Sequence, residues 1–188
     1  ISPCLVGSEM CIRDSGNTDI YEMNLKTQKL ERLTKYPGID TAPSYSPDGD
    51  FITFESDRSG SQKIYVMNLK TKKIKRISFG EGKYATPVWS PRGDLIAFTK
   101  LLGGEFYIGV MYTDGKGERV VYKSYLVEGP TWSPNGRVLS FYSQTKFSKG
   151  KISSPKIKLV DLTGVNLREL ITPSDSSDPS SVSYTHLR

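Results

Sequence analysis

Short apolar–polar alternations recur along this chain, punctuated by Gly, Pro, Asn and Asp, and no ten-residue stretch carries helical periodicity. The most regular are Phe51-Ile52-Thr53-Phe54, Leu95-Ile96-Ala97-Phe98 and Val138-Leu139-Ser140-Phe141. Each comes after the same kind of segment: Pro43-Ser44-Tyr45-Ser46-Pro47-Asp48-Gly49, Pro87-Val88-Trp89-Ser90-Pro91-Arg92-Gly93, and Pro130-Thr131-Trp132-Ser133-Pro134-Asn135-Gly136. Ser46 and Ser90 are 44 residues apart, and Ser133 comes 43 later. Ser-Pro-x-Gly suits a β-turn, because proline pre-sets φ at the second position and glycine tolerates either sign of φ at the fourth. A fixed period of this size points to propeller blades.

Each unit divides into four short strands. The first is the aromatic-Ser-Pro strand; the second is Phe51 to Glu55, Leu95 to Thr99, or Val138 to Ser143. The third is Ile20 to Asn24, Ile64 to Asn68, Ile108 to Met111, or Ile157 to Asp161. The fourth is Leu30 to Leu33, Ile74 to Ile77, Glu118 to Val121, or Leu167 to Ile171. The expected fold is all-β: a partial β-propeller with half a blade at Thr18–Thr34 and full four-stranded blades over about Ala42–Ser78, Thr86–Tyr122 and Gly129–Ile171. Closed propellers take about 4 to 8 blades. Three and a half blades therefore make an open arc whose end sheets lack a neighbour.

The repeat register breaks at both ends. Ser2-Pro3 stands one period before Ser46-Pro47, but Gly7-Ser8-Glu9 replaces the strand that should come next. At the other end Pro179-Ser180 matches Pro43-Ser44, yet Val182-Ser183 stands where Ser-Pro is due. Both tails resemble translated sequencing-adaptor read-through. The expected organisation is a foreign, unstructured tail over 1–15, a propeller fragment over 16–180, and a second foreign tail over 181–188. Degenerate terminal repeats are the alternative.

Composition removes several function classes. The one histidine, His186, lies in the second tail, so the body offers no Ser-His-Asp or Cys-His pairing, and no Gly-x-Ser-x-Gly elbow is present. Serines that recur once per blade behave as turn residues. Both cysteines, Cys4 and Cys11, lie in the first tail, the acidic residues are scattered, and neither a metal site nor a cofactor is expected. No apolar run reaches the roughly 18 residues that cross a bilayer, so no direct membrane insertion is expected. There is no initiator Met or signal peptide, and the natural start is expected to be missing. The net charge of +6 owes much to Lys70, Lys72, Lys73, Lys75 and Arg76. This group straddles one turn without interleaved aromatics, which favours a solvated outer hairpin over a nucleic-acid patch. Tyr45, Trp89 and Trp132, one per blade, read as packing between blades.

Four loops join a fourth strand to the next first strand: Tyr36 to Ala42, Gly80 to Thr86, Ser124 to Gly129, and Pro173 to Asp178. In a propeller they rim one mouth of the central channel. Their residues vary while the proline after them stays, as on a scaffold displaying different side chains. The candidate binding residues are Ile39, Asp40, Thr41, Ala42, Tyr84, Ala85, Thr86, Glu128, Ser177 and Asp178. The alternative is that they merely form turns.

Aromatic-Ser-Pro-x-Gly, an apolar strand, then Ile-Tyr-x-Met-Asn resembles the WD40-like repeat of the TolB family. Gly38 to Gly49, Tyr84 to Lys100 and Val127 to Leu139 are similar to that family's blade junctions. The resemblance covers about Gly16 to Ser180. It implies a six-bladed propeller preceded by an α/β domain, in a periplasmic protein of the Tol–Pal envelope system. It further implies a non-enzymatic scaffold that docks the lipoprotein Pal on the rim and works with other Tol proteins in outer-membrane integrity and constriction at division. Contact with TolA, which involves the missing α/β domain, is not expected of this chain. The propeller of a prolyl-oligopeptidase-like or tricorn-like peptidase, whose blades carry similar repeats, is the alternative.

Overall fold

The computed structural model describes residues 9–14 and 17–170. They form four sheets, each a sequential antiparallel meander. The first contains Glu9–Asp14 (β1), Asn17–Met23 (β2) and Leu30–Arg32 (β3). The second contains Asp40–Tyr45 (β4), Phe51–Ser56 (β5), Lys63–Asn68 (β6) and Ile74–Arg76 (β7). The third contains Lys83–Trp89 (β8), Leu95–Leu102 (β9), Glu105–Tyr112 (β10) and Arg119–Ser124 (β11). The fourth contains Leu126–Trp132 (β12), Val138–Gln144 (β13), Lys156–Asp161 (β14) and Arg168–Glu169 (β15). Four-stranded blades in sequence order make this a partial β-propeller. The one helical element among the described residues is a 3₁₀ turn at Ser148–Gly150.

The repeated turn forms alike in all three full blades. The amides of Ser46, Ser90 and Ser133 donate to the carbonyls of Phe51, Leu95 and Val138, each at 2.8 Å. The glycine three residues on returns an amide bond to the serine carbonyl, at φ of +74°, +79° and +65°. That region favours residues without Cβ. Each serine hydroxyl also accepts the amide of the residue opening the next strand, at 3.0 Å from Phe51 and Val138 and 3.4 Å from Leu95. These hydroxyls are occupied in holding the turn.

The apolar cores lie between blades. Ile20 and Leu33 of the first blade pack with Ile52, Phe54, Tyr65 and Met67 of the second. Ile64 and Ile77 of the second meet Tyr84, Trp89, Ile96, Phe98 and Met111 of the third. Ile108, Val110 and Val121 of the third meet Trp132, Leu139, Phe141 and Val160 of the fourth. First strands of neighbouring blades touch directly: the Trp89 amide donates to Ser44 Oγ at 3.0 Å, and Trp132 Nε1 donates to the Val88 carbonyl at 3.0 Å. The recurring aromatics are therefore packing residues, with β4, β8 and β12 innermost.

Two expectations change. Glu9–Asp14 is a strand paired along its length with β2, from Glu9 opposite Glu22 to Asp14 opposite Asn17, so these six residues are not unstructured. Ladder bonds use backbone groups, and the edge of β2 that β3 leaves open accepts a neighbour regardless of its apolar pattern. The rim loops are also shorter than read from sequence, because first strands begin at Asp40, Lys83 and Leu126, ahead of the proline. A bulge in each strand makes this possible. The register shifts between Thr41 and Ser44, Ala85 and Val88, and Glu128 and Thr131. Proline, which has no N–H to give a ladder, sits in the bulge.

Candidate functional site

The three bulges stand at the same place on the innermost strands, and the residue before each proline is left-handed: Ala42 at φ +52°, Thr86 at +46° and Gly129 at +63°. A β-branched residue such as Thr86 rarely adopts this conformation, and holding it costs on the order of 1–3 kcal/mol. One contact from the neighbouring blade and one from its own hold it in place. The Thr86 amide donates to Glu55 Oε2 of β5 at 2.8 Å, and the Thr86 and Thr99 hydroxyls bond at 2.8 Å. Glu55 is buried, and burial pushes its carboxyl above the ordinary value, with the Thr86 amide partly offsetting this.

The sequence candidates separate into two groups. Ile39 is 39% exposed and Glu128 is exposed, while Thr41, Ala42, Ala85 and Thr86 are half-buried on the bulged strands. Asp40 and Tyr84 are fully buried, so neither presents its side chain on the rim. Ser177 and Asp178 lie outside the described residues.

Asp40 is held by Arg58, whose Nη2 lies 2.9 and 2.7 Å from its two carboxylate oxygens while Nε donates to Ser56 Oγ at 2.9 Å. The guanidinium also lies over the rings of Tyr36, Phe54 and Tyr65, at 5.2, 5.3 and 5.0 Å from their centroids. Beside it the Ile39 amide donates to Asp57 Oδ1 at 3.0 Å, and the Asp57 amide returns a bond to the Ile39 carbonyl at 3.3 Å. The rim segment before β4 is thus latched to the β5–β6 loop. Removing one member of such a buried pair costs about 3–5 kcal/mol, because the other charge is left unpaired.

Tyr84 serves the same role one blade on. Its hydroxyl donates to Glu118 at 2.8 Å, and Lys100 Nζ pairs with the same carboxylate at 2.7 Å. Lys100 and Lys63 lie over the Tyr84 ring at 4.7 and 4.9 Å. Lys63 Nζ also donates to the Gly80 and Gly82 carbonyls at 2.8 and 2.7 Å, fixing the connection between the second and third blades. Burial pulls Lys63 below the usual lysine range, helped by the charges of Arg76 and Lys100. Burial also pulls on Lys100, but its bonds to Glu118 and Tyr84 outweigh this and raise it. Burial pushes the Tyr84 phenol up.

Pattern reading missed Glu55, Arg58, Lys63, Lys100 and Glu118. A charged residue at a position alternating into the interior, as at Lys63 and Glu55, was the available signal. Of the basic group, Lys70, Lys72 and Lys73 lie in the β6–β7 turn at the opposite end of the sheet, where Lys70 pairs with Asp50 and Lys72 with Glu31, each at 2.9 Å, while Arg76 lies toward the rim with Nε donating to the Ser78 carbonyl at 2.7 Å. Among the described residues no three His, Cys, Asp or Glu side chains converge on a metal-sized site, and no helix is long and apolar enough to cross a membrane.

Similarity to known proteins extends over most of the chain. The family model of the TolB beta propeller domain matches residues 7–185, running past both boundaries of the span read from register. The Tol-Pal system protein TolB of Zymomonas mobilis is 58% identical over 79 residues, 42% of this chain and 16% of that protein. The matched stretch is thus about a sixth of the relative's length. The crystal structure of TolB from Acinetobacter baumannii superposes with a TM-score of 0.72 at 27% identity, covering 83% of this chain and 38% of that one. The tricorn protease superposes over 82% of this chain and 16% of its own at TM-score 0.58, but at 16% identity this likeness is of fold alone. With a family match running almost end to end, this chain belongs to the TolB β-propeller domain family.

Proposed function

We propose that the chain is a non-enzymatic, periplasmic scaffold of the Tol–Pal system that binds Pal through the rim of its propeller, in company with other Tol proteins and in support of outer-membrane integrity and constriction at division. The observation that carries this reading is the rim. Three bulges stand at matching places, two of them strained at Ala42 and Thr86, yet each carries different side chains: Thr41 and Ala42, Ala85 and Thr86, Glu128 and Gly129. Strain kept in place by Glu55, Thr99 and the Arg58 latch is what a preorganised binding surface requires. The recurring serines are committed to turn bonds, so the scaffold reading needs no nucleophile. Superposed over similar shares of the chain, the 27% identity to a TolB structure against 16% to tricorn protease favours this reading over a peptidase propeller.

Titration calorimetry with purified Pal tests it. Thr41→Arg and Glu128→Arg, both at the rim, should weaken Pal binding about tenfold or more. Lys73→Glu, on the opposite end, should leave it unchanged. Absence of binding, or equal weakening by all three, would refute the proposal.

A further inference from the structure

Each full blade sets a cation beside a tyrosine: Arg58 with Tyr65, Lys100 with Tyr84 and Lys158 with Tyr122. In the first two cases a carboxylate balances the cation, Asp40 on Arg58 and Glu118 on Lys100. Lys158 pairs with no carboxylate among the described residues. The acids of the flanking strands are engaged elsewhere. Glu169, opposite Lys158 in the β14–β15 ladder, bonds Lys156 at 2.8 Å, and Glu105 bonds Lys123 at 2.6 Å. The polar partner of Lys158 is the phenol itself: Nζ donates to Tyr122 Oη at 2.8 Å.

Tyr84 and Tyr122 are therefore opposites. The Tyr84 hydroxyl donates to Glu118, and a carboxylate at that distance keeps the phenol protonated. The Tyr122 oxygen accepts from an ammonium and shares a 3.2 Å bond with the buried Ser143 hydroxyl, which can also donate to it. Both partners stabilise a negative charge on the oxygen. The ring is fixed by Phe141, at 4.8 Å between centroids, and by Ile108 opposite it on β10, so the oxygen stays between the two donors. Burial pushes the Tyr122 phenol up, but the bonds from Lys158 and Ser143 and the Lys158 charge outweigh this and hold it below its ordinary value of 10.0. Ser124 lowers it further and also lines a groove of about 450 Å³ with Lys123 and Tyr125, which gives a small molecule a path to this seam.

A tyrosine becomes a competent nucleophile when a fixed cation stabilises its oxygen as the anion. We infer that Tyr122 is a modification site, a nucleophilic phenol that takes an acyl group from an activated acyl donor entering by this groove. The phenol first releases its proton to solvent. Its oxygen then attacks the carbonyl carbon of the donor, the C–O bond of an aryl ester forms, and the bond from that carbon to the leaving group breaks. The leaving group takes a proton from solvent. Lys158, already protonated, offsets the charge and moves no proton.

N-Acetylimidazole, which esterifies tyrosines in a reaction that hydroxylamine reverses, is the probe. Applied in limiting amount to the full chain at mildly alkaline pH, it should acetylate Tyr122 ahead of Tyr112 and Tyr125, although these are 52% and 39% exposed. Peptide mass mapping before and after hydroxylamine reads this order. Tyr84 should stay unlabelled. Lys158→Met should abolish the lead of Tyr122, and Lys158→Arg, which keeps the charge, should preserve it, with circular dichroism confirming both folds. Phenolate absorbance followed against rising pH should show an early step in the wild type that Tyr122→Phe removes, a measurement that stands even if Lys158→Met does not fold. Labelling ordered by exposure alone, a lead that survives Lys158→Met in a folded chain, or the lack of an early step removed by Tyr122→Phe would each overturn the proposal.

Discussion

Asp40 and Glu55 show how far a single residue's role departs from its pattern. Asp40 sits in a stretch of turn-forming residues, where an acidic side chain reads as solvent-exposed. It is buried because Arg58, in the loop after the next strand, reaches back to it with both oxygens satisfied. Glu55 lies near the end of the second strand and is buried against the next blade, where it accepts the Thr86 amide. Because burial raises the Glu55 carboxyl above its ordinary value of 4.5, the folded chain holds that proton more tightly than the unfolded chain. Its contribution to stability is fully present below the unfolded value, falls as pH rises toward the raised folded value, and stays low above it. Glu55→Gln removes this dependence while keeping an acceptor for Thr86. In urea unfolding between pH 4 and pH 8 the variant should gain on the wild type as pH rises. Stability curves that run parallel would contradict this. The burial of Glu55 left a trace in the strand alternation, but that of Asp40 was not legible in the sequence, because Arg58 fixes it from another element.

At the scale of the strand, the second-strand phenylalanines show both sides of legibility. Phe54, Phe98 and Phe141 fall at matching points of the repeat, and their burial follows from alternation alone. What stacks on them does not. Phe54 meets Tyr65 of its own third strand, at 5.9 Å between centroids. Phe98 meets Tyr84 of its own first strand at 5.3 Å, and Phe141 meets Tyr122 of the preceding blade's fourth strand at 4.8 Å. In each case a cation covers the tyrosine: Arg58, Lys100 or Lys158. One phenylalanine–tyrosine–cation stack is thus assembled from three different sets of strands. This explains Gly109, which occupies the position of Tyr65 one blade on. A Cβ there would collide with the edge of the Phe98 ring at Cζ and Cε2. Gly109→Ala should therefore destabilise the chain by about 1–3 kcal/mol, as overpacking does. Thermal unfolding would show it, and an unchanged midpoint would mean that the third blade relaxes around the methyl group. The turns and strand order were readable because their chemistry is local; the rim bulges were not, because they depend on a strand continuing past a proline.

Across the whole molecule, stability is distributed over junctions. Each apolar cluster belongs to two blades, and no blade has a core of its own among the described residues. Such an architecture behaves as a row of nearest-neighbour contacts. The two tryptophans, the only ones in the chain, fall on different junctions. Trp89 stacks with Phe51 at 6.2 Å between the second and third blades, and Trp132 donates to the Val88 carbonyl between the third and fourth. Indole emission shifts to longer wavelength when water reaches the ring, so each seam carries its own intrinsic optical probe. In Trp132→Phe the remaining emission reports the seam between the second and third blades, and in Trp89→Phe the seam between the third and fourth. Emission midpoints in urea that differ between the two variants would show the seams parting in sequence, and coincident midpoints would show the arc coming apart as one body.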